Sequence, residues 1–247
     1  MYNGFGKAQP DTALIMGPNI TDWPAMYELS ENLLVELAAV IRDSVTTTDE
    51  LIPSGETSSY RSNPLRLAEF TLSRRVPEYV GRAKRIAKTE AKRRAGNADE
   101  LRDILSKVGD ADKLTGTTQF GSCVFANRPG DGSAREQAAS CQKVLGGFAN
   151  ICYEYATKRY RSNCINWGIL PFTLDADAKF DYAEGDFVYI PAVRERIAAG
   201  EEVFPAKVIR ANGAAEDLTL YVKGLTDKEK EIILCGCLMN YYAAQSK

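Results

Sequence analysis

Histidine is absent from all 247 residues. Without it, no Ser-His-Asp triad, Cys-His pair or histidine-rich zinc site can be assembled from this chain alone. Proton transfer must fall to Ser, Tyr, Lys, Asp or Glu, or to a group on another chain. Cysteine is scattered: Cys123, Cys141, Cys152, Cys164, Cys235 and Cys237 contain no Cys-x-x-Cys pair. Cys235 and Cys237 stand two apart on what reads as a helix, so they diverge and cannot clasp one ion. Reduced core thiols in a reducing compartment are the expectation. No apolar run approaches bilayer length, so no membrane partner is expected. Met1 to Lys7 shows no basic stretch followed by an apolar core; no signal peptide is expected, and the cytoplasm is the default location. Charge excess is missing too. A net charge of −2 gives no bulk electrostatic reason to bind nucleic acid.

What is present suffices for a sizeable core, as one large domain or one domain with extensions. The chemistry concentrates in Gly130 to Cys141, Gly-Asp-Gly-Ser-Ala-Arg-Glu-Gln-Ala-Ala-Ser-Cys. Ser122 to Ala126 just upstream reads as a buried strand, Asn127 to Gly132 as a turn, and Ala134 to Leu145 as a helix with Ala138, Cys141, Val144 and Leu145 on one face. Ser133 is the expected N-cap, with Glu136 completing a Ser-x-x-Glu capping box. A glycine loop between strand and helix start is an anion site, because free amide groups and the helix dipole point into it. Arg135 adds a cation suited to two hydrogen bonds with a carboxylate. Most Ser-x-x-Glu patterns are only caps, and the local pattern alone leaves both readings open.

Residues 1–31 read as an irregular arm or linker: Ala13 to Met16 is briefly apolar, and Trp23 offers a packing point among breakers. Asn32 to Ile41 is apolar and fits helix or strand equally. Thr46 to Arg61 is rich in hydroxyls and turn formers, a polar loop after a buried element. Arg82 to Arg94 is a basic helical run, followed by a second helix over Ala98 to Val108. Such a face is usually solvated surface; docking to an acidic partner or RNA is the lesser alternative. Phe148 to Cys152 is a candidate strand, and Tyr155 to Ser162 a basic helix. Val193 to Ala199 reads as a short helix. Lys207 to Ala211 and Asp217 to Val222 read as strands joined at Asn212-Gly213. Thr226 and Glu229 cap a last helix running through Ala243.

Four of these stretches resemble, in order, the mobile swivel domain of the aconitase superfamily. Gly-x-Gly-Ser-x-Arg-Glu-x-Ala-Ala is similar to that family's Gly-Ser-Ser-Arg-Glu-His-Ala motif. Thr47, Thr48, Asp49, Gly55 and Arg61 fall on its Thr-Thr-Asp-His-Ile-Ser…Gly…Phe-Arg segment. Asn163 to Pro171 resembles Asn-Leu-Ile-Asn-x-Gly-Leu-Leu-Pro, and Gly185-Asp186 the turn that follows. The matches cover roughly Asn32 to Ala199 and look most like a bacterial aconitase-related hydratase, less like a true aconitase or an isopropylmalate isomerase small subunit. The resemblance implies an α/β fold, a swivelling three-layer β/β/α domain over 32–247 with a basic helical insertion around 74–108. It implies a hydro-lyase acting on hydroxy di- or tricarboxylates, active only with cluster-bearing domains or a large subunit. The four-iron four-sulfur cluster is then expected on that partner, with no cofactor on this chain. By carry-over, Ser133 is the base, Arg61 and Arg135 grip substrate carboxylates, and Ala134 replaces a second serine but keeps its N–H. Thr48, Asp49 and Gly132 support the site; Glu50 and Gln137 stand where the family has histidines. A non-catalytic binding or regulatory domain is the alternative.

Overall fold

Ten consecutive residues, Asn32–Ile41, form strand β1, and all except Val40 are buried. Leu33, Val35 and Leu37 face one core, Leu34 and Ala38 another. A strand buried on both faces loses the alternation that marks a strand, which is why its period is ambiguous. The computed structural model describes residues 4–13 and 15–246. Met1 to Asn3, part of the leader reading, Leu14 within the Ala13–Met16 run, and Lys247 lie outside.

After β1 come β2 (Thr46–Thr47), β3 (Thr118–Ala126), β4 (Pro129–Asp131), β5 (Gly147–Cys152), β6 (Leu170–Thr173), β7 (Phe187–Ile190), β8 (Val203–Ile209) and β9 (Ala215–Tyr221). The helices are α1 (Thr48–Leu51), α2 (Pro64–Ala68), α3 (Tyr79–Arg94), α4 (Asp99–Leu105), α5 (Ala111–Thr117), α6 (Arg135–Val144), α7 (Lys158–Asn166), α8 (Val193–Ala199), α9 (Asp227–Leu234) and α10 (Leu238–Gln245). The mixed α/β class expected from the sequence is the one adopted.

Seven strands close into a barrel in the order β1-β3-β5-β6-β9-β8-β7. β1, β3, β5 and β6 run parallel, because a helical crossover lies between each consecutive pair. β7, β8 and β9 complete the circuit antiparallel. Phe125, Ile151, Phe172, Phe204 and Leu220 share one fully buried cluster with Leu33, Val35 and Leu37. Each side chain of this size contributes roughly 1.5–3 kcal/mol by leaving water. The second cluster lies between β1/β3 and helices α2, α3, α4, α6 and α7, through Leu67, Tyr79, Ile86, Leu101, Ala138 and Tyr160.

The predicted last helix is in fact two. Gly236 sits at φ +92°, and a Cβ there would lie 2.0 Å from the Tyr27 carbonyl oxygen, so the chain turns where the N-terminal segment crosses it. Cys235 and Cys237 therefore flank a turn instead of diverging on a helix. Thr226 and Glu229 form the capping box as expected.

The basic run of α3 is largely neutralised within the molecule. Lys84 pairs with Glu69, Arg85 with Glu36, and Lys92 with Glu100. Arg93 and Arg94 both reach Glu90, at 2.7 and 2.8 Å. Glu36 is a buried strand residue, and Arg85 is its ion-pair partner among the described residues. Arg85→Ala is expected to destabilise by about 1–3 kcal/mol in urea unfolding, because the carboxylate is left buried and unpaired. Glu36→Gln in the Arg85→Ala background should recover stability, and an unchanged midpoint for Arg85→Ala would refute the pairing.

Candidate functional site

Three loops leave the carboxyl ends of neighbouring parallel strands: 42–51 after β1, 127–134 after β3 and 153–157 after β5. Ligands in parallel α/β sheets collect at that edge. β2 and β4 pair in parallel, Thr46 with Pro129 and Thr47 with Asp131, which ties the first two loops together. Gly132 is at φ +128°, and a Cβ on it would stand 2.2 Å from Thr48 Oγ1. Gly130 is at φ +97° against the Tyr160 ring, with Cδ1 2.3 Å from the Cβ position. The two glycines of Gly-x-Gly thus let the loop lie flat between Thr48 on one side and α7 on the other. Thr157 closes the third side: its hydroxyl donates to the Gly130 carbonyl at 3.1 Å and accepts from Tyr160 N at 3.2 Å, capping α7.

Ser133 is not the N-cap of α6, against the expectation. Ala134 holds that position, without a side-chain cap. Glu136 does not reach back; its Oε1 accepts from Trp167 Nε1 at 3.0 Å. The indole captures the carboxylate that a capping box needs. Ser133 is exposed, and its hydroxyl makes no hydrogen bond among the described residues. The same Ser/Thr-x-x-Glu spelling at Thr47–Glu50 and Thr226–Glu229 does form capping boxes. At Thr47, the Glu50 carboxylate accepts from the Thr47 amide at 2.7 Å, so Glu50 serves there as a cap. With α6 uncapped, its first amide groups remain free to bind an anion.

Ser133 and Arg135 share a surface depression with Glu136, Lys158, Arg159, Ser162 and Asn163. Arg135 is half-buried, and its Nε, fully shielded, has no partner among the described residues. Lys158 and Arg159 open α7 beside it. Sequence reading marked that helix as basic but gave these residues no role. Their signal was position: a cationic first turn directly before the Asn163–Pro171 segment.

The other expected residues are placed as follows. Thr48 is buried under Gly132. Asp49 orients an arginine, Arg74, at 2.6 Å, and Arg74 also holds Glu56. Arg61 is exposed after the 3-10 turn Ser58–Tyr60 and does not line the depression. Its neighbour Tyr60 stacks on Phe70 with ring centroids 5.5 Å apart, which holds that turn in place. Trp167, which holds Glu136, is itself covered by Trp23, with centroids 4.5 Å apart.

No three Cys, Asp or Glu side chains converge to hold a metal among the described residues. Burial pushes the Cys141 and Cys164 thiols up to about 12, and those of Cys123 and Cys152 higher still, so the thiolate ligands a cluster needs are disfavoured. No helix among the described residues is long and apolar enough to cross a membrane.

Comparison with known proteins bears on the central part of the chain. Residues 82–177 match the family described as the Aconitase C-terminal domain. A 3-isopropylmalate dehydratase small subunit from Metallosphaera sedula is 34% identical over 112 residues, 45% of this chain and 58% of that relative's length. A solved structure of a 3-isopropylmalate dehydratase from Methanocaldococcus jannaschii is 22% identical, with a TM-score of 0.48, covering 87% of this chain and 95% of the other. The 82–177 match contains Ser133, Arg135, Lys158 and Asn163 and leaves Thr48, Asp49 and Arg61 outside. On that stretch the resemblance read from the motifs stands: the chain is similar to the Aconitase C-terminal domain family.

Proposed function

We propose that the chain is the swivelling β/β/α domain or small subunit of an aconitase-like hydro-lyase, acting on a hydroxy di- or tricarboxylate. The observation that carries this reading is the unspent hydroxyl of Ser133. Two sister motifs use their hydroxyls as caps; this one leaves its serine exposed beside free helix amides and three cations. A serine is a poor base unless its alkoxide is stabilised, and a helix N-terminus with Arg135, Lys158 and Arg159 nearby supplies positive potential. The alkoxide takes the proton from the carbon beside a substrate carboxylate, and the alcohol formed can return it on the reverse path. Arg135 grips that carboxylate, and the Ala134 N–H donates a further hydrogen bond. Lys158 and Arg159, which line the same depression, would hold a second carboxylate. Arg61 lies outside the depression and would reach substrate only if closure of partner domains brings it over the loop.

The cluster of this reaction is assigned to the partner, since no three Cys, Asp or Glu side chains converge among the described residues of this chain. The partner is a set of cluster-bearing domains or a large subunit, and the location is the cytoplasm. Within this reading, the similarity to a dehydratase small subunit favours an isopropylmalate-type substrate. The missing hydroxyl at Ala134 argues against a site built for a true aconitase. The test is reconstitution. Anaerobically treated with iron and sulfide, the isolated chain should retain no stoichiometric cluster and show no turnover. Mixed with a cluster-bearing large subunit, it should dehydrate isopropylmalate or citrate, followed by the absorbance of the new conjugated double bond. Cluster retention by the isolated chain, or no turnover of either acid in the mixture, refutes the reading.

A further inference from the structure

We infer that the cavity behind α6 is a second ligand site, taking a small monocarboxylate with an apolar tail whose carboxylate pairs with Lys143. Lys143 lies eight residues after Arg135, about 12 Å along the helix, and has no part in the chemistry proposed for Ser133. The residue is 4% exposed, yet it lines a cavity with Met26, Tyr27, Phe120 and Phe148. The Nζ donates to the Gly168 carbonyl at 3.2 Å and sits 4.3 Å from the centre of the Phe148 ring. No carboxylate pairs with it among the described residues. The acid that lines the cavity, Glu90, is already committed to Arg93 Nε at 2.7 Å, Arg94 Nε at 2.8 Å and the Phe120 amide at 3.0 Å. A buried lysine whose Nζ has one carbonyl acceptor keeps donors to spare, and its ammonium form is stable there only once an anion pairs with it.

The walls select the rest of the ligand. Tyr27, Phe120 and Phe148 offer aromatic surface, and Met26 a deformable apolar one. Arg94, stacked over Tyr27 at 3.9 Å, adds positive charge at the rim. These features fit an anionic head and an apolar tail of benzyl or branched-alkyl size. The groups that act on the Lys143 charge are Cys237, in the turn between α9 and α10, and Arg94 on α3; Glu90 and Tyr27 also line the cavity, with Arg93 paired to Glu90. Burial pulls the lysine down to about 7; Cys237 opposes this and Arg94 adds to it. Empty, the site therefore holds a largely neutral amine at mildly alkaline pH. An arriving carboxylate favours the ammonium, so binding takes up a proton and weakens as pH rises.

Calorimetric titration of the full chain with phenylacetate tests this directly. Phenylacetate should bind, and its neutral isostere phenylacetamide should bind about tenfold or more weakly. From about pH 7 to about pH 9 the phenylacetate affinity should fall approaching tenfold per pH unit, with up to one proton taken up per ligand in buffers of different ionisation enthalpy. Lys143→Met should keep the cooperative melt and lose phenylacetate binding, since an apolar side chain satisfies the buried position. Should Lys143→Met fail to fold, the pH dependence of the unaltered chain decides. Absence of phenylacetate binding at millimolar concentration, equal affinity for acid and amide, or a flat pH profile overturns the site.

Discussion

Ser133→Ala is expected to lower turnover of the reconstituted enzyme by about 100- to 10,000-fold, the usual cost of losing a general base. Its melting temperature should stay nearly unchanged. An N-cap serine replaced by alanine costs about 1 kcal/mol, which for a chain of this size is a fall of roughly 2–4 °C. Ser133 caps nothing in this fold, so that loss should not appear. Ser133→Asp separates the roles further. It would be harmless at a cap, yet a carboxylate set among substrate carboxylates repels them and cannot reach the same proton. Turnover and melting of both variants, with the cluster-bearing partner present, are the measurements. A folded Ser133→Ala enzyme that keeps most of its activity would assign the proton to another group.

Gly132→Ala should damage stability and activity together. Its φ of +128° is strained for any side chain, and the new Cβ would press on Thr48 Oγ1. A cost of about 1–3 kcal/mol follows from the backbone alone. Relief requires Thr48 to move, and Thr48 anchors α1 and the loop joined to Ser133 through the β2–β4 pairing. Turnover is therefore expected to fall at least tenfold, since small displacements of a reacting group are costly. Adding Thr48→Ala removes the hydroxyl and should restore part of the stability but not the φ strain. Urea midpoints of the single and double variants give the coupling. Purely additive effects would show that the glycine is required only for its backbone angle.

Much of this arrangement was legible because local patterns and tertiary demands agree. The Val193–Ala199 helix, the strands near Lys207 and Asp217, and the Thr226 cap were of that kind. Where reading failed, a distant partner decided. Trp167 takes the carboxylate of Glu136, and no pattern within Ser133–Glu136 differs from Thr47–Glu50 in a way that announces it. The carbonyl of Tyr27 crosses at Gly236 and breaks one expected helix in two. β1 stayed ambiguous because β3 and β7 flank it and side chains bury both its faces. The 111–117 helix went unread, lacking a sustained apolar period. For the site, the loop, its serine and Arg135 were readable from one stretch. The Lys158–Arg159 pair was not, because its relevance arises only when β5 lies next to β3 and brings the two loops together.

The tryptophan pair gives the molecule an optical property of its own. Trp23 and Trp167 are its two tryptophans, and they lie in van der Waals range of each other. At that separation their excited states should couple, and near-ultraviolet circular dichroism is the measurement that checks it. One member rides on the N-terminal segment; the other is hydrogen-bonded to the residue following Arg135. Any shift of the segment, or of charge beside Arg135, alters the splitting and the emission of the same two rings. A displacement of the N-terminal segment should therefore register in the protein's own near-ultraviolet spectrum, without a label.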